Sequence, residues 1–544
     1  MSKSKRISRW IWIPVVVLVL VAGGYFGSRM LERMVLKRSE RILTGIGGPG
    51  STIRVGQVDI DLWAGDLRWS DVLIESPPGE PDSTQATRMN GRVDGISVHG
   101  LSLWRLLVAR TLSMRSITIV RPDIEVIMSS DTTAKAPDRA KALTITSLRT
   151  ESVVLEGAVF RMRWTGADST TISAERLDLD VTDVRCEWPQ DRPFALRYAN
   201  AQGKLGGIAA ALPPLYDFRI ASIELAEEGR TLRILNAEVD PRKGQQSYDR
   251  VTHFEVDLFD AGMDTATMTG LDLMGLINEN TLSATTLRIA GVGLDVSRDR
   301  TMPDAPYKYK PLLSRLLREL PFALCMDSVV VDRWNVGYHE KGALTPDFGD
   351  LVFNDIGGTI TGLCTKEERS QDTLEVLATA RLYDRTRMSM QVRMVIADSS
   401  DRFTAHALIG GLPISGFNRL TADLMRVRAR GGTIGGIEVT MTADDDRATG
   451  RVDMEYNGLQ LELLKEDGSG EKRRFMSGLV NTVVRSHNLR SHPDFQHGDF
   501  TILRRKDRFV FNYLWAGLRE GMIISVLPGA VESVRQMDKA AKRK

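Results

Sequence analysis

Little cysteine, few aromatics and almost no net charge bound this chain before any motif is read. Its three cysteines, Cys186, Cys325 and Cys364, are odd in number and widely spaced in 544 residues. That excludes a disulfide framework and shows no metal spacing. They read as three small core residues, since free cysteine is among the most buried residue types. Such low usage suits a reducing compartment or a large exported protein equally. Basic residues number 72 against 70 acidic ones, and a net charge of +2 leaves no electrostatic case for nucleic acid. Catalytic motifs are missing as well: there is no Walker loop, no GxGxxG after a strand, no GxSxG elbow and no HExxH. No cluster of acid, base and nucleophile stands out. The expectation is a protein that is not an enzyme and that uses no cofactor and no metal.

The few polar clusters read as structure. His487, His492 and His497 lie near Asp494 and Asp499, but a spacing of five suits neither one helix face nor one strand face. His406 falls on the polar parity of its strand and reads as a surface histidine. Asp444, Asp445 and Asp446 lack the glycine and distal glutamate of a calcium loop and read as a hairpin tip.

Long hydrophobic runs are equally scarce. The one that stands out is 10–28, WIWIPVVVLVLVAGGYFGS. Its length, about 19 residues at roughly 1.5 Å each, matches a bilayer's hydrocarbon core. Trp10, Trp12 and Tyr25 sit near the ends, with Val16, Leu18 and Leu20 between, as an anchor's interfacial rings would. A cleaved signal peptide is the alternative; no convincing A-x-A site follows, which favours a retained anchor. Lys3, Lys5, Arg6 and Arg9 precede the run, and Arg29, Arg33, Lys37, Arg38 and Arg41 follow it. Charge therefore does not orient it.

What the chain has in quantity is one-sided strand. With 42% hydrophobic and 26% charged residues, it can fold as two to four domains or as one elongated repetitive one. Between 374 and 463, apolar and polar side chains alternate with period two: Met388, Met390, Val392 and Met394 on one face, then Ile437, Val439 and Met441, then Val452 and Met454, then Leu461. Phe254, Val256 and Leu258 alternate in the same way with Glu255 and Asp257. Asn457-Gly458 reads as a hairpin turn, and Ser116–Met128 as a strand pair broken at Pro122. Helices are expected at 29–43, 311–320, 417–426, 475–486 and 509–527. In the last, Phe511, Leu514, Trp515, Leu518, Met522 and Val526 form one apolar stripe. Five short helices cannot cover about twenty strands, so the sheet must curl on itself or leave an open apolar groove. Methionine-rich inner faces suit variable apolar partners, although ordinary core filling explains each of them as well.

Some stretches resemble a known family. The basic tail, the single membrane run, IRVGQVDIDLWAGDLRWSDVLIES and ISVHGLSLWRLLVARTLSMRSITIVRPDIEVIM resemble the AsmA-like proteins of bacterial envelopes. SRDRTMP at 297–303, NVGYHEKG at 335–342, RATGRVDMEYNGLQLELL at 447–464 and FNYLWAGLREG at 511–521 are similar to large AsmA-like chains of the Bacteroidetes type. The resemblance implies an inner-membrane anchor, a periplasmic β-rich domain, and roles in phospholipid transport or outer-membrane homeostasis.

The expectation is therefore mainly β: a single N-terminal transmembrane helix, an elongated antiparallel or curled sheet forming a groove or folded sheet, a few short helices and a C-terminal amphipathic helix. Its parts are a basic cytoplasmic tail at 1–9, the anchor at 10–28, a juxtamembrane helix and glycine-rich linker at 29–50, β-rich regions at 51–300 and 301–470, and a helical cap with basic tail at 471–544. The candidate lipid-groove residues are Phe254, Val256, Leu258, Met388, Met390, Val392, Met394, Ile437, Val439, Met441, Val452, Met454 and Leu461. Membrane lipids and envelope proteins are the expected partners. The alternative is a non-transporting tethered scaffold or outer-membrane assembly factor with a self-packed sheet.

Overall fold

The computed structural model describes residues 52–527 apart from 62–63, 77–86, 110, 130–145, 166–169, 188–193, 213–214, 243–252, 343–347, 414–417, 419–426 and 464–484. The chain divides into two compact units, Met1–Arg242 with Thr265–Ala284, and Lys243–Asp264 with Thr285–Lys544.

Its first strands are β1 (Thr52–Asp61), β2 (Asp66–Glu75), β3 (Thr87–His99), β4 (Thr111–Ser129), β5 (Ser147–Thr165), β6 (Thr171–Glu187), β7 (Ala195–Arg197), β8 (Asn200–Leu212), β9 (Tyr216–Ala226) and β10 (Thr231–Pro241), with helix α1 (Leu103–Ala109) between β3 and β4. Next come β11 (Asp257–Thr269), helix α2 (Leu273–Glu279), β12 (Thr281–Asp299), helix α3 (Leu313–Arg318), β13 (Ala323–Lys341) and β14 (Phe348–Cys364). The series ends with β15 (Thr373–Leu382), β16 (Thr386–Val395), β17 (Phe403–Ile409), β18 (Leu412–Pro413), β19 (Val427–Ala443), β20 (Arg447–Leu463), β21 (His487–Asn488), β22 (Gly498–Leu503) and helix α4 (Val510–Val526).

The fold is a mostly-β solenoid in which strands lie against their near neighbours in the chain. In the first unit β1 to β4 pair antiparallel, β4 and β5 run parallel, and β5, β6, β8, β9 and β10 continue antiparallel. In the second, β13 to β17 pair in succession, then β17 with β19, β19 with β20, and β20 with β22, all antiparallel.

This corrects the expected architecture. Three described helices have only six or seven residues and α4 has 17; a crossing helix needs about 20 apolar ones. Among the described residues no helix is long and apolar enough to cross a membrane, and single-pass anchoring in an inner membrane finds no support in the structure. The run 10–28 with Trp10, Trp12, Val16, Leu18, Leu20 and Tyr25, and the expected helix at 29–43, lie outside the described residues, as does 475–486 except residues 485 and 486, which are not helical. So does 417–426 except residue 418.

The strands are long for a physical reason that the sequence disguises. β4, β5, β12 and β13 each run 19 residues, against the usual five or six. In every one the eleventh residue is left-handed: Arg121, Gly157, Gly291 and Arg333, at φ 45°, 59°, 66° and 53°. One bulged residue advances the side-chain parity by one. Ile117 and Ile119 therefore give way to Ile124 and Val126, Val153 and Leu155 to Ala158 and Phe160, and Val329 and Val331 to Trp334 and Val336. The apolar face continues unbroken across the kink, so Pro122 sits inside β4 and does not end it. Asn457-Gly458 likewise makes no hairpin. It lies within β20 opposite Gly431 and Gly432 of β19, where the register shifts and Gly432 and Gly458 take φ of 117° and 68°.

Strand, short helix and 19-residue strand recur three times, around α1, α2 and α3, and α2 went unread in the sequence. The second unit also corrects the cysteine reading. Cys325 and Cys364 face each other across β13 and β14 and are joined by a disulfide, while Cys186 is free and buried. Burial pushes the Cys186 thiol up to about 12. A denatured chain kept from reductant is expected to titrate one thiol, and three after reduction; three in both states would remove the bridge.

Candidate functional site

In the second unit α4 covers part of the face singled out from sequence. α4 lies on β20 and β22, and its sheet side is the small-residue stripe Gly517, Gly521 and Ser525 below Tyr513, all buried. A Cβ on Gly517 would stand 2.9 Å from Phe500 and 3.4 Å from Met441 Sδ, and one on Gly521 would fall inside the Val452 side chain. Phe403 meets Tyr513 edge-on at 6.4 Å, and the Tyr456 hydroxyl donates to the Ser525 carbonyl at 3.2 Å. The large side chains Leu514, Trp515, Leu518 and Met522 are half-buried, and Phe511 is exposed. Sequence put the large stripe inward; only glycine lets the helix backbone approach this closely.

Of the thirteen candidate groove residues, Leu258, Met394, Ile437, Met441, Val452 and Met454 are buried, Val452 completely. Val256, Met388, Met390, Val392, Val439 and Leu461 are half-buried. Phe254 is 39% exposed, and Glu255 beside it is buried instead. The structure therefore brings the residues of β16, β19 and β20 onto one face; Met441 and Val452 pack directly under α4, while Met388, Met390 and Val392 of β16 stay half-buried. An open lipid-shielding groove on this sheet is overturned, and with it the lipid-transport reading.

The opposite face of these strands is a lattice of ion pairs. Arg393 donates to Glu375 at 2.7 Å and Arg451 to Asp499 at 2.7 Å. His406 meets Glu438 at 3.2 Å, as its polar parity foretold. The Arg490 and His406 contacts hold the Glu438 carboxyl below its usual range. His497 pairs with Asp453 and His487 with Ser486, so the histidines go to separate partners. Among the described residues no group of acids, histidines and cysteines could hold a metal.

Three charge knots that sequence did not reveal fix the loops of this unit. Glu255 accepts from Arg298 and from Arg508 Nη1 at 2.6 Å. Burial pushes its carboxyl up, against the pull of Arg298. Asp445 closes the β19–β20 hairpin and accepts from Arg504, from the Tyr309 hydroxyl at 2.8 Å and from Lys506 at 3.0 Å. Burial raises its pKa, but these bonds outweigh that and hold it low. Asp401, completely buried, receives Ser314, Arg315 and Arg318 of α3. Alternation could not announce these residues, because each lies at a strand end or loop where period two lapses.

The first unit differs. A closed core gathers Ile74, Val93, Val98, Leu112, Ile117 and Leu148 around the first strands. Beyond the bulges the apolar rungs go on across β5, β6, β8, β9 and β10. One runs Phe160, Ala174, Ile208, Ile220 and Ala237; the next runs Met162, Ile172, Ala210, Phe218 and Val239. Most of these side chains are only half-buried. Among the described helices α1 lies against β4 and α2 against β7, leaving these rungs without a helical layer. No family model matches the sequence, and no curated protein matches it.

Proposed function

We propose that the protein is a non-catalytic scaffold whose first unit receives an amphipathic helix of a partner polypeptide on the half-buried apolar face of β5 to β10. The observation that carries this is the contrast between two faces of the same construction. In the second unit a 17-residue helix seats its small side on the sheet and buries it. In the first, Phe160, Met162, Ile172, Phe218, Ile223 and Ile234 stand half-buried with no described helix over them. A one-sided sheet needs a second layer, and an amphipathic helix laid on an apolar surface is a recurring way to supply one. Kinship with AsmA-like chains belongs to this reading and is supported by the stretches quoted above.

The test uses the full chain and a stapled peptide of Val510–Val526 as probe. Saturable binding that Ile223→Asp abolishes while leaving the thermal melt in place is the expected result. No binding, binding unchanged in Ile223→Asp, or native mass spectra showing the face filled by acyl lipid overturns the proposal.

A further inference from the structure

His339 lies in β13 with an acid on each flank. Its Nδ1 is 2.8 Å from Asp350 Oδ1 of β14, its register partner, and its Nε2 is 3.2 Å from Asp295 Oδ1 of β12. Gly337 makes room for this: a Cβ there would press on Asp295 and come within 2.8 Å of His339 Nε2. One rung further on, Lys341 pairs with Asp299 at 2.8 Å, so that cation is engaged elsewhere. The charged groups facing the ring are thus Asp295 from one strand and Asp350 from the other.

A neutral imidazole has one N–H and can donate to one carboxylate; an imidazolium donates to both. We infer that His339 is a proton-operated clamp that ties β12, β13 and β14 together when charged and releases one flanking strand when neutral. The strand released is β12, because Asp295 makes the longer bond and is 67% exposed, against 29% for Asp350. Partial burial works against the charged ring, and the two carboxylates outweigh it, so the pKa is raised. A raised folded-state pKa means that the clamp's stabilisation is complete below the unfolded value of about 6.5. It is lost as pH rises through the folded one.

Amide exchange of the full chain, corrected for intrinsic rates, at about pH 6 and about pH 8.5 tests this. Protection across residues 293–299 is expected to fall several-fold at the higher pH. In Asp295→Asn and in His339→Gln the fall should vanish, and a far-UV melt checks that both variants remain folded. A pH-independent native chain, or variants that keep the fall, overturns the clamp. If both variants unfold, Asp350→Asn serves in their place, and a native-sized fall in it counts against the clamp equally.

Discussion

Asp401→Ala is expected to cost about 3 kcal/mol or more, because removing one member of a buried ion pair leaves its partners' charge uncompensated. Asp401 is completely buried; its Oδ1 accepts from Ser314 Oγ at 2.9 Å and from Arg318 at 2.5 Å, and its Oδ2 forms an ion pair with Arg315 at 2.7 Å. Both arginines keep about a quarter or more of their side-chain surface. Water can therefore recover part of the loss, which places the effect at the lower end of the about 3–5 kcal/mol known for such cuts. Arg318 also donates to the carbonyls of Ile396 and Asp398, so the knot joins α3 to the turn after β16. Asp401 has φ 56°, a conformation asparagine tolerates better than alanine. Asp401→Asn should lose less than Asp401→Ala. Urea denaturation of the three chains measures both; a loss under about 1 kcal/mol in Asp401→Ala, the level of an exposed pair, would mean the knot is solvated.

The double variant Gly517→Ala, Gly521→Ala is expected to lose about 3 kcal/mol as α4 lifts from its sheet. Two effects of opposite sign compete. Alanine for glycine in a helix interior gains about 1 kcal/mol per site from propensity. Overpacking a filled interface costs about 1–3 kcal/mol per site, occasionally more. Here overpacking wins. The new methyl on Gly521 meets the Cβ and Cγ2 of Val452, rigid branched atoms close to the backbone, and the one on Gly517 meets the Phe500 ring. Neither neighbour can swing away as a flexible chain end would. Gly262→Ala is the control, since a Cβ there meets nothing within 4 Å. Thermal melts followed by the fluorescence of half-buried Trp515 separate the outcomes; a double variant as stable as the native chain would show that the helix is not seated on its glycines.

The same glycines show where pattern reading stops. The helix over Val510–Val526 was legible from its ends and its period, but which side it buries was not. A hydrophobic stripe predicts burial only when area decides, and at this contact distance of approach decides. Phe254 and Glu255 fail for a related reason. Alternation assigned Phe254 inward, but the strand begins only at Asp257, and the Glu255 carboxylate is drawn in by Arg298 and Arg508. The unpaired reading of Cys325 and Cys364 failed because their opposition depends on the register of β13 against β14, which spacing does not reveal.

The parity slip was legible in principle. Ile117 and Ile119 followed by Ile124 and Val126 is an odd-to-even change around Arg121-Pro122, and it recurs in the other three 19-residue strands. Read as a break it yields two short strands; read as a bulge it yields one long bent strand.

By itself the sequence determined that the chain is built of one-sided strands, where most of them lie, and which face of each is apolar, because period two is a local property of the extended backbone. Tertiary structure alone decided which apolar faces are covered. Coverage depends on which distant segment docks and how closely its backbone can approach, as α4 does on β20 and β22 through Gly517 and Gly521, and no local period records that distance.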